Sequence, residues 1–307
     1  MCVCVLLCWK NRVGGVVASL LVISLTLVLC SGLAHAVWNM LAKQSTDKAV
    51  FLWVIYMPAT ILLLPILIHE LAGASFSLAM WLLIGASLMM QSIYSLLLAY
   101  TYNAGDLSQV YPVMRGTPTL LIPAFGVFLF DEALALWGWI GLCFMLTGFV
   151  VMLGRSSGKG QHQGQQQTFF KPMLLAMSVG LCITAYTLID KANLQHLSPL
   201  ALLEVTNIGF VLGLTPAVVR SNRLRHVIRT HLNRIWLGAI LSPGSYLLFL
   251  FAARNANVST VAPMREVGIV FGTLLGLFVL KESQGIRRIT ASGAVVAGII
   301  MIASSGH

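Results

Sequence analysis

Hydrophobic residues run through this chain in long blocks, and polar residues are confined to short gaps between them. Ten apolar segments follow one another, at approximately 15–42, 49–68, 78–101, 107–130, 134–153, 172–191, 199–219, 235–254, 258–280 and 285–304. Each approaches or exceeds the roughly 20 residues that one bilayer crossing requires. Trp53, Trp81, Trp137, Trp139 and Trp236 fall near segment ends, where amphipathic rings prefer the headgroup zone. The pattern predicts an all-α integral membrane protein of ten transmembrane helices. The longest polar stretch runs from Arg155 to Thr168, rich in Gly, Ser and Gln. It reads as a flexible linker over 155–171.

Composition narrows the class. Of 307 residues, 58% are hydrophobic and 9% are charged, and mean hydropathy is +0.89. A soluble domain carries roughly 25% charged residues, so a cytosolic enzyme, a secreted domain and a disordered chain are all excluded. The net charge of +10 sits mostly in the gaps, where it serves topology and lipid headgroups rather than nucleic acid. The six cysteines form no C-x-x-C pair, and we read them as small apolar residues. Before the first span, Lys10 and Arg12 precede an apolar run, and Ala34-His35-Ala36 resembles a signal-peptidase site. The repeat described next crosses that site and argues against cleavage.

The chain repeats itself. Gly32-Leu-Ala-His-Ala-Val-Trp38 and Lys43 align with Gly180-Leu-Cys-Ile-Thr-Ala-Tyr186 and Lys191. Met114-Arg115, Gly126, Glu132 and Gly148 align with Met264-Arg265, Gly276, Glu282 and Gly298, 150 residues on. Each half, 16–154 and 172–305, then holds five spans. Five is odd, so the second half enters the membrane from the other side. The expected architecture is two inverted five-helix repeats, a common design of secondary transporters.

These residues also carry a resemblance. Val110-Tyr-Pro112 leading to Glu132 and the Gly141…Gly148 span, and Val261-Ala-Pro263 leading to Glu282 and the Gly293…Gly298 span, resemble the EamA type of the drug/metabolite transporter superfamily. The opening Gly32-Leu-Ala-His-Ala-Val-Trp-Asn39…Lys43 resembles one branch of it, associated with phosphonate use. The resemblance implies a ten-helix carrier of small organic metabolites, in a bacterial inner membrane, with no cofactor. It implies termini inside. The charge count points the other way. Only Lys10, Arg12, Lys191 and Arg254 fall in gaps on the side of the termini, so the positive-inside rule places the linker and the Arg-rich 220–234 loop in the cytoplasm.

Charges within the spans are the candidate chemistry. Arg115 and Arg265, repeat equivalents, lie well inside apolar segments, as do Glu204 and Glu266. Each would cost roughly 2.5–3.5 kcal/mol mid-span on insertion scales, so they are expected to be paired or to line a wet cavity. Arg suits an anionic substrate because its planar fork donates two parallel hydrogen bonds. Pro112, Pro118 and Pro123 are expected to interrupt the fourth segment, and Pro263 the ninth. Polar stripes at helical spacing add His35, Trp38 and Asn39, then Gln91 and Tyr94 with Ser87, then Asn207 beside Glu204, and Tyr186 as the repeat mate of Trp38. Helices one, three, four, six, seven, eight and nine are expected to line the cavity. His35, Glu204 and Glu266 are candidates for proton coupling. Glu132 and Glu282 are read as helix-end packing residues. No Walker-type loop, zinc-protease helix or nucleophile elbow is present.

The function these features favour is secondary transport, by alternating access, of a small polar or amphipathic metabolite, anionic or zwitterionic. Its partners would be that substrate and the lipid bilayer, with a homodimer possible and no nucleic acid or metal. The competing classes are an intramembrane enzyme on lipid-linked substrates, for which no nucleophile–base signature exists, and a scaffold that does not transport.

Overall fold

The computed structural model describes residues 23–42, 44–104, 107–153, 166–271 and 286–304. Among these residues the chain is helical apart from short turns. The helices are α1 (Ile23–Ala42), α2 (Lys48–Gly73), α3 (Leu78–Ala104), α4 (Leu107–Phe130), α5 (Leu136–Leu153), α6 (Gln166–Asn193), α7 (Pro199–Ser221), α8 (Leu224–Asn255) and α9 (Val258–Met264). Helix α10 starts at 267 and is described to 271, and α11 is Ile286–Ser304. Seven of the described helices, α1 to α4 and α6 to α8, are long and apolar enough to cross a membrane. The apolar parts of α5 and α11 are shorter. The Gly/Ser/Gln linker falls largely outside the described residues, although α6 already begins at Gln166, ahead of the expected 172.

Local chemistry sets the helix ends. The Asp47 side chain accepts from Val50 N at 3.1 Å and caps α2. Ser198 does the same for α7, followed by Pro199 at the first helical position. Helix α7 stops at Asn222, in the left-handed conformation with φ 51°. Glu132 accepts from Val258 N and Ser259 N, both at 2.7 Å, so it caps α9 from another helix pair. Its repeat mate Glu282 lies outside the described residues.

The prolines divide unexpectedly. Helix α4 stays continuous over Pro112, Pro118 and Pro123. Each proline leaves the carbonyl four residues before it without its helical N–H partner, at Ser108, Met114 and Thr119. Thr117 and Thr119 add hydroxyl bonds to neighbouring carbonyls, Val113 O and Arg115 O, at 2.9 and 2.7 Å. The ninth segment does break, immediately after Pro263. Arg265 and Glu266 form a turn in which Glu266 N reaches Pro263 O and Gly268 N reaches Arg265 O, three residues back. A second irregularity is His231, with φ −125° and ψ 24°, which kinks α8.

Polar and apolar surfaces are inside out relative to a soluble fold. Leu62, Phe128 and Leu78 are among many large apolar side chains left exposed, whereas Arg115, Glu204, Asp190 and Glu266 are buried. Apolar surface on this scale is stable only against lipid. The chain is a multi-pass membrane protein.

Small residues bring the helices together, since packing rather than hydrophobic burial drives association in lipid. Helix α5 lies on α11: a Cβ on Gly141 would stand 2.6 Å from Gly298 O, and one on Gly148 2.8 Å from Ala291 O. Gly32 of α1 meets Val267, and Gly180 of α6 meets Thr117, each with 2.6 Å for a would-be Cβ. Helix α3 packs on α6 and α7, α2 on α7 and α8, and α4 on α6 and α9.

Candidate functional site

The polar faces of these helices meet around a small cavity, with about 30 Å3 available to the centres of water molecules. It is lined by His35 and Trp38 of α1, Tyr56 of α2, Gln91 and Tyr94 of α3, and Tyr186 of α6. Leu203, Thr206 and Asn207 of α7, Ser242, Ser245 and Tyr246 of α8, and Arg265 at the α9 break complete it. Seven expected site residues meet here: His35, Trp38, Gln91, Tyr94, Tyr186, Asn207 and Arg265. Four do not line it: Arg115, Glu266, Glu204 and Asn39.

Each of the four has a distinct place. Arg115 and Glu266 form a bidentate ion pair, with Nε to Oε2 at 2.8 Å and the terminal nitrogen to Oε1 at 2.7 Å. Both side chains are 6% exposed. The break after α9 turns Glu266 toward α4, so the glutamate neutralises the arginine of the opposite half and not its own neighbour. Asn39 bonds back to His35 O at 2.8 Å and accepts from the Tyr102 hydroxyl at 3.1 Å. Glu204 is fully buried, one turn before Asn207.

The two repeat-equivalent arginines therefore differ. Arg115 is neutralised. Arg265 has no carboxylate partner among the described residues, and its Nε has no hydrogen-bond partner. Its guanidinium lies 5.3 Å from the Tyr246 ring centre and 4.9 Å from that of Phe249, a cation–π contact that holds position without cancelling charge. Aromatic rings enclose the rest. Tyr94 and Tyr246 each meet Tyr186 edge to face, at 5.3 and 5.9 Å, and Tyr56 stacks on Phe210 at 4.1 Å. His35 and Trp38 meet edge to face at 5.0 Å.

The lining also carries unsatisfied hydrogen-bonding atoms. His35 Nδ1, Trp38 Nε1 and Arg265 Nε are buried without a hydrogen-bond partner among the described residues, while the Asn207 amide reaches Glu204 and the Ser242 hydroxyl reaches Tyr56. Buried polar atoms are ordinarily paired, because an unmet one costs about 1–3 kcal/mol. Three such residues converge on one cavity, together with hydroxyl and amide groups able to orient a polar molecule.

Sequence reasoning missed Tyr56, Thr206, Ser242, Ser245 and Tyr246. Ser242, Ser245 and Tyr246 follow the i, i+3, i+4 rule that exposed the other stripes. It also missed Asp190, which is buried and accepts from the Ser87 and Tyr246 hydroxyls. Asp190 lies one turn after Tyr186, and its position at a span end hid it. Lys191 beside it donates to Ala253 O and Ala256 O at 2.6 and 2.9 Å, holding the end of α8. Of the lining helices expected, α4 contributes none, and α2 enters through Tyr56.

The chain is thus a helical membrane protein with a polar, aromatic-walled cavity. Residues 170–304 match the EamA-like transporter family. The chain is similar to the glucose uptake protein GlcU of Bacillus subtilis (strain 168), at 26% identity over 200 residues, 64% of this chain and 66% of that protein. The matched stretch thus spans slightly under two thirds of that relative. The probable glucose uptake protein GlcU of Priestia megaterium is 23% identical over 203 residues, 65% of this chain and 68% of that protein. A solved crystal structure, described only as "Crystal structure of protein", shares the fold with a TM-score of 0.62 at 16% identity, over 92% of this chain and 96% of that one. The family and the relatives' names point to transport and not to enzymatic chemistry.

Proposed function

We propose that this chain is a secondary carrier of the bacterial inner membrane, with ten crossings in two inverted five-helix repeats, that moves a small polar metabolite by alternating access. Exchange of contacts between the halves supports the repeat. Gly141 on Gly298 becomes Ala291 on Gly148, and Thr117 beside Gly180 matches Val267 beside Gly32, at offsets near 150. The substrates favoured are anionic or zwitterionic, and the bilayer is the protein's other partner, with a second copy of the chain as a candidate third. The observation that carries the substrate class is Arg265: a buried cation at the wall of the cavity, without a carboxylate partner among the described residues. A carboxylate or phosphonate there would gain a charge-assisted bond.

A second reading is an uncharged sugar. Hydroxyl, amide and aromatic groups dominate the lining, and the relatives named above are called glucose uptake proteins.

The test is thermal stability of the purified protein in detergent with glycine, aminomethylphosphonate, D-glucose or choline. A ligand at 100 times its Kd stabilises the folded state by about 2.7 kcal/mol. The expected result is stabilisation by glycine or aminomethylphosphonate that is lost in Arg265→Gln. Stabilisation by D-glucose that survives Arg265→Gln moves the assignment to the sugar. Stabilisation by choline alone refutes both.

A further inference from the structure

Among the described residues, every buried carboxylate but one is held by hydrogen bonds or an ion pair of good geometry. Glu266 meets Arg115. Asp190 accepts from Ser87 and Tyr246. Glu132 accepts two backbone N–H groups, and half-buried Glu70 accepts from Ser198 N and Oγ. Glu204 is 0% exposed, and neither carboxylate oxygen makes a hydrogen bond of good geometry; the one polar side chain that reaches it among the described residues is the amide of Asn207.

Its position explains why only a neutral amide reaches it. Glu204 stands beyond the first turn of α7, where backbone N–H groups are already spent on the helix. The helices packed on α7 are α2, α3 and α8. Helix α3 has no charged residue and presents Tyr94. Helix α2 presents Tyr56, and its Glu70 is held at the Ser198 cap while His69 is exposed. Helix α8 presents Tyr246, itself donating to Asp190, and its Arg254 is exposed. No cation among the described residues pairs with Glu204.

An ionised carboxylate buried in this way costs several kcal/mol. A neutral carboxyl group loses far less. One turn away, Asn207 reaches the Glu204 carboxyl group and also lines the cavity. It stands between Glu204 and the space a substrate would enter.

We infer that Glu204 is a proton-binding site: its carboxyl group is neutral in this conformation and exchanges its proton with water by way of Asn207 and the cavity. The O–H bond of the carboxyl group breaks, the proton passes to water, and a carboxylate remains. The reverse step reloads it. This rests on the carrier reading above, and it gives that carrier a driving ion.

Two readouts test it. The first is the infrared carbonyl band of a protonated carboxylic acid in the purified protein, with no substrate present. It is expected in the wild type and in Asp190→Asn, and absent in Glu204→Gln. The glutamine variant matches the neutral form in shape and charge, so it is expected to melt with the wild type. A band unaltered by Glu204→Gln overturns the proposal whether or not anything is transported. The second readout is internal pH in dye-loaded proteoliposomes offered D-glucose or aminomethylphosphonate. Proton movement is expected with the wild type and lost in Glu204→Gln. Proton movement that persists in the variant overturns the coupling role. A silent wild type whose band is removed by Glu204→Gln sustains the proton site and defeats the substrate assignment instead.

Discussion

The Arg115–Glu266 pair offers a prediction with a magnitude. It joins α4 of the first half to the α9–α10 turn of the second, through two bonds of 2.8 and 2.7 Å, with both side chains 6% exposed. Glu266→Gln keeps the volume and removes the charge. The guanidinium of Arg115 then stays buried without a counter-ion, near the unpaired Arg265. Breaking a buried ion pair from one side costs about 3–5 kcal/mol. At roughly 2 °C or more per kcal/mol for a large domain, the apparent Tm should fall by on the order of 10 °C. Arg115→Gln should do similar damage. The double variant leaves no orphaned charge and should be more stable than either single one, because the desolvation of two ions disappears with their attraction. The assay is a double-mutant cycle of thermal or denaturant unfolding in detergent. Two single variants within about 1 kcal/mol of the wild type, with additive effects in the double, would refute the reasoning and make the pair an ornament of the resting structure.

The other tests separate structure from site. Gly298→Val places a side chain against the α5 backbone at Gly141, and should cost about 1–3 kcal/mol or more from overpacking, read as a lower Tm with ligand affinity per folded molecule unchanged. Glu132→Ala removes both side-chain acceptors of the α9 N-terminus and should cost about 0.5–2 kcal/mol, by the same melt. Arg265→Gln, in contrast to Arg115→Gln, breaks no ion pair, so its Tm without ligand should stay within about 2 kcal/mol equivalent of the wild type, and its effect should appear in ligand binding.

Part of this protein was legible in its sequence for a physical reason. A helix in lipid satisfies its own backbone, so a run of apolar residues long enough to span decides the secondary structure almost alone. That is why the all-helical class and the membrane location are legible in the chain itself. Helical periodicity likewise placed His35 with Trp38, and Gln91 with Tyr94, on faces that do turn to one cavity. The mid-span charges were visible because the membrane makes them expensive. Pairing was not legible. Arg115 and Arg265 occupy equivalent positions in sequence, and their different fates depend on a glutamate that one half of the chain has and the other lacks. Position 116, the repeat mate of Glu266, is glycine. Only the break after Pro263 aims Glu266 across the interface, and the same packing leaves Arg265 on Tyr246 and Phe249. The continuity of α4 over three prolines and the isolation of Glu204 belong to the same category. Sequence determined the helical class, the membrane location and which faces are polar, since lipid tests each helix separately. Tertiary structure decided which polar group answers which, since that depends on contacts between helices far apart in the chain.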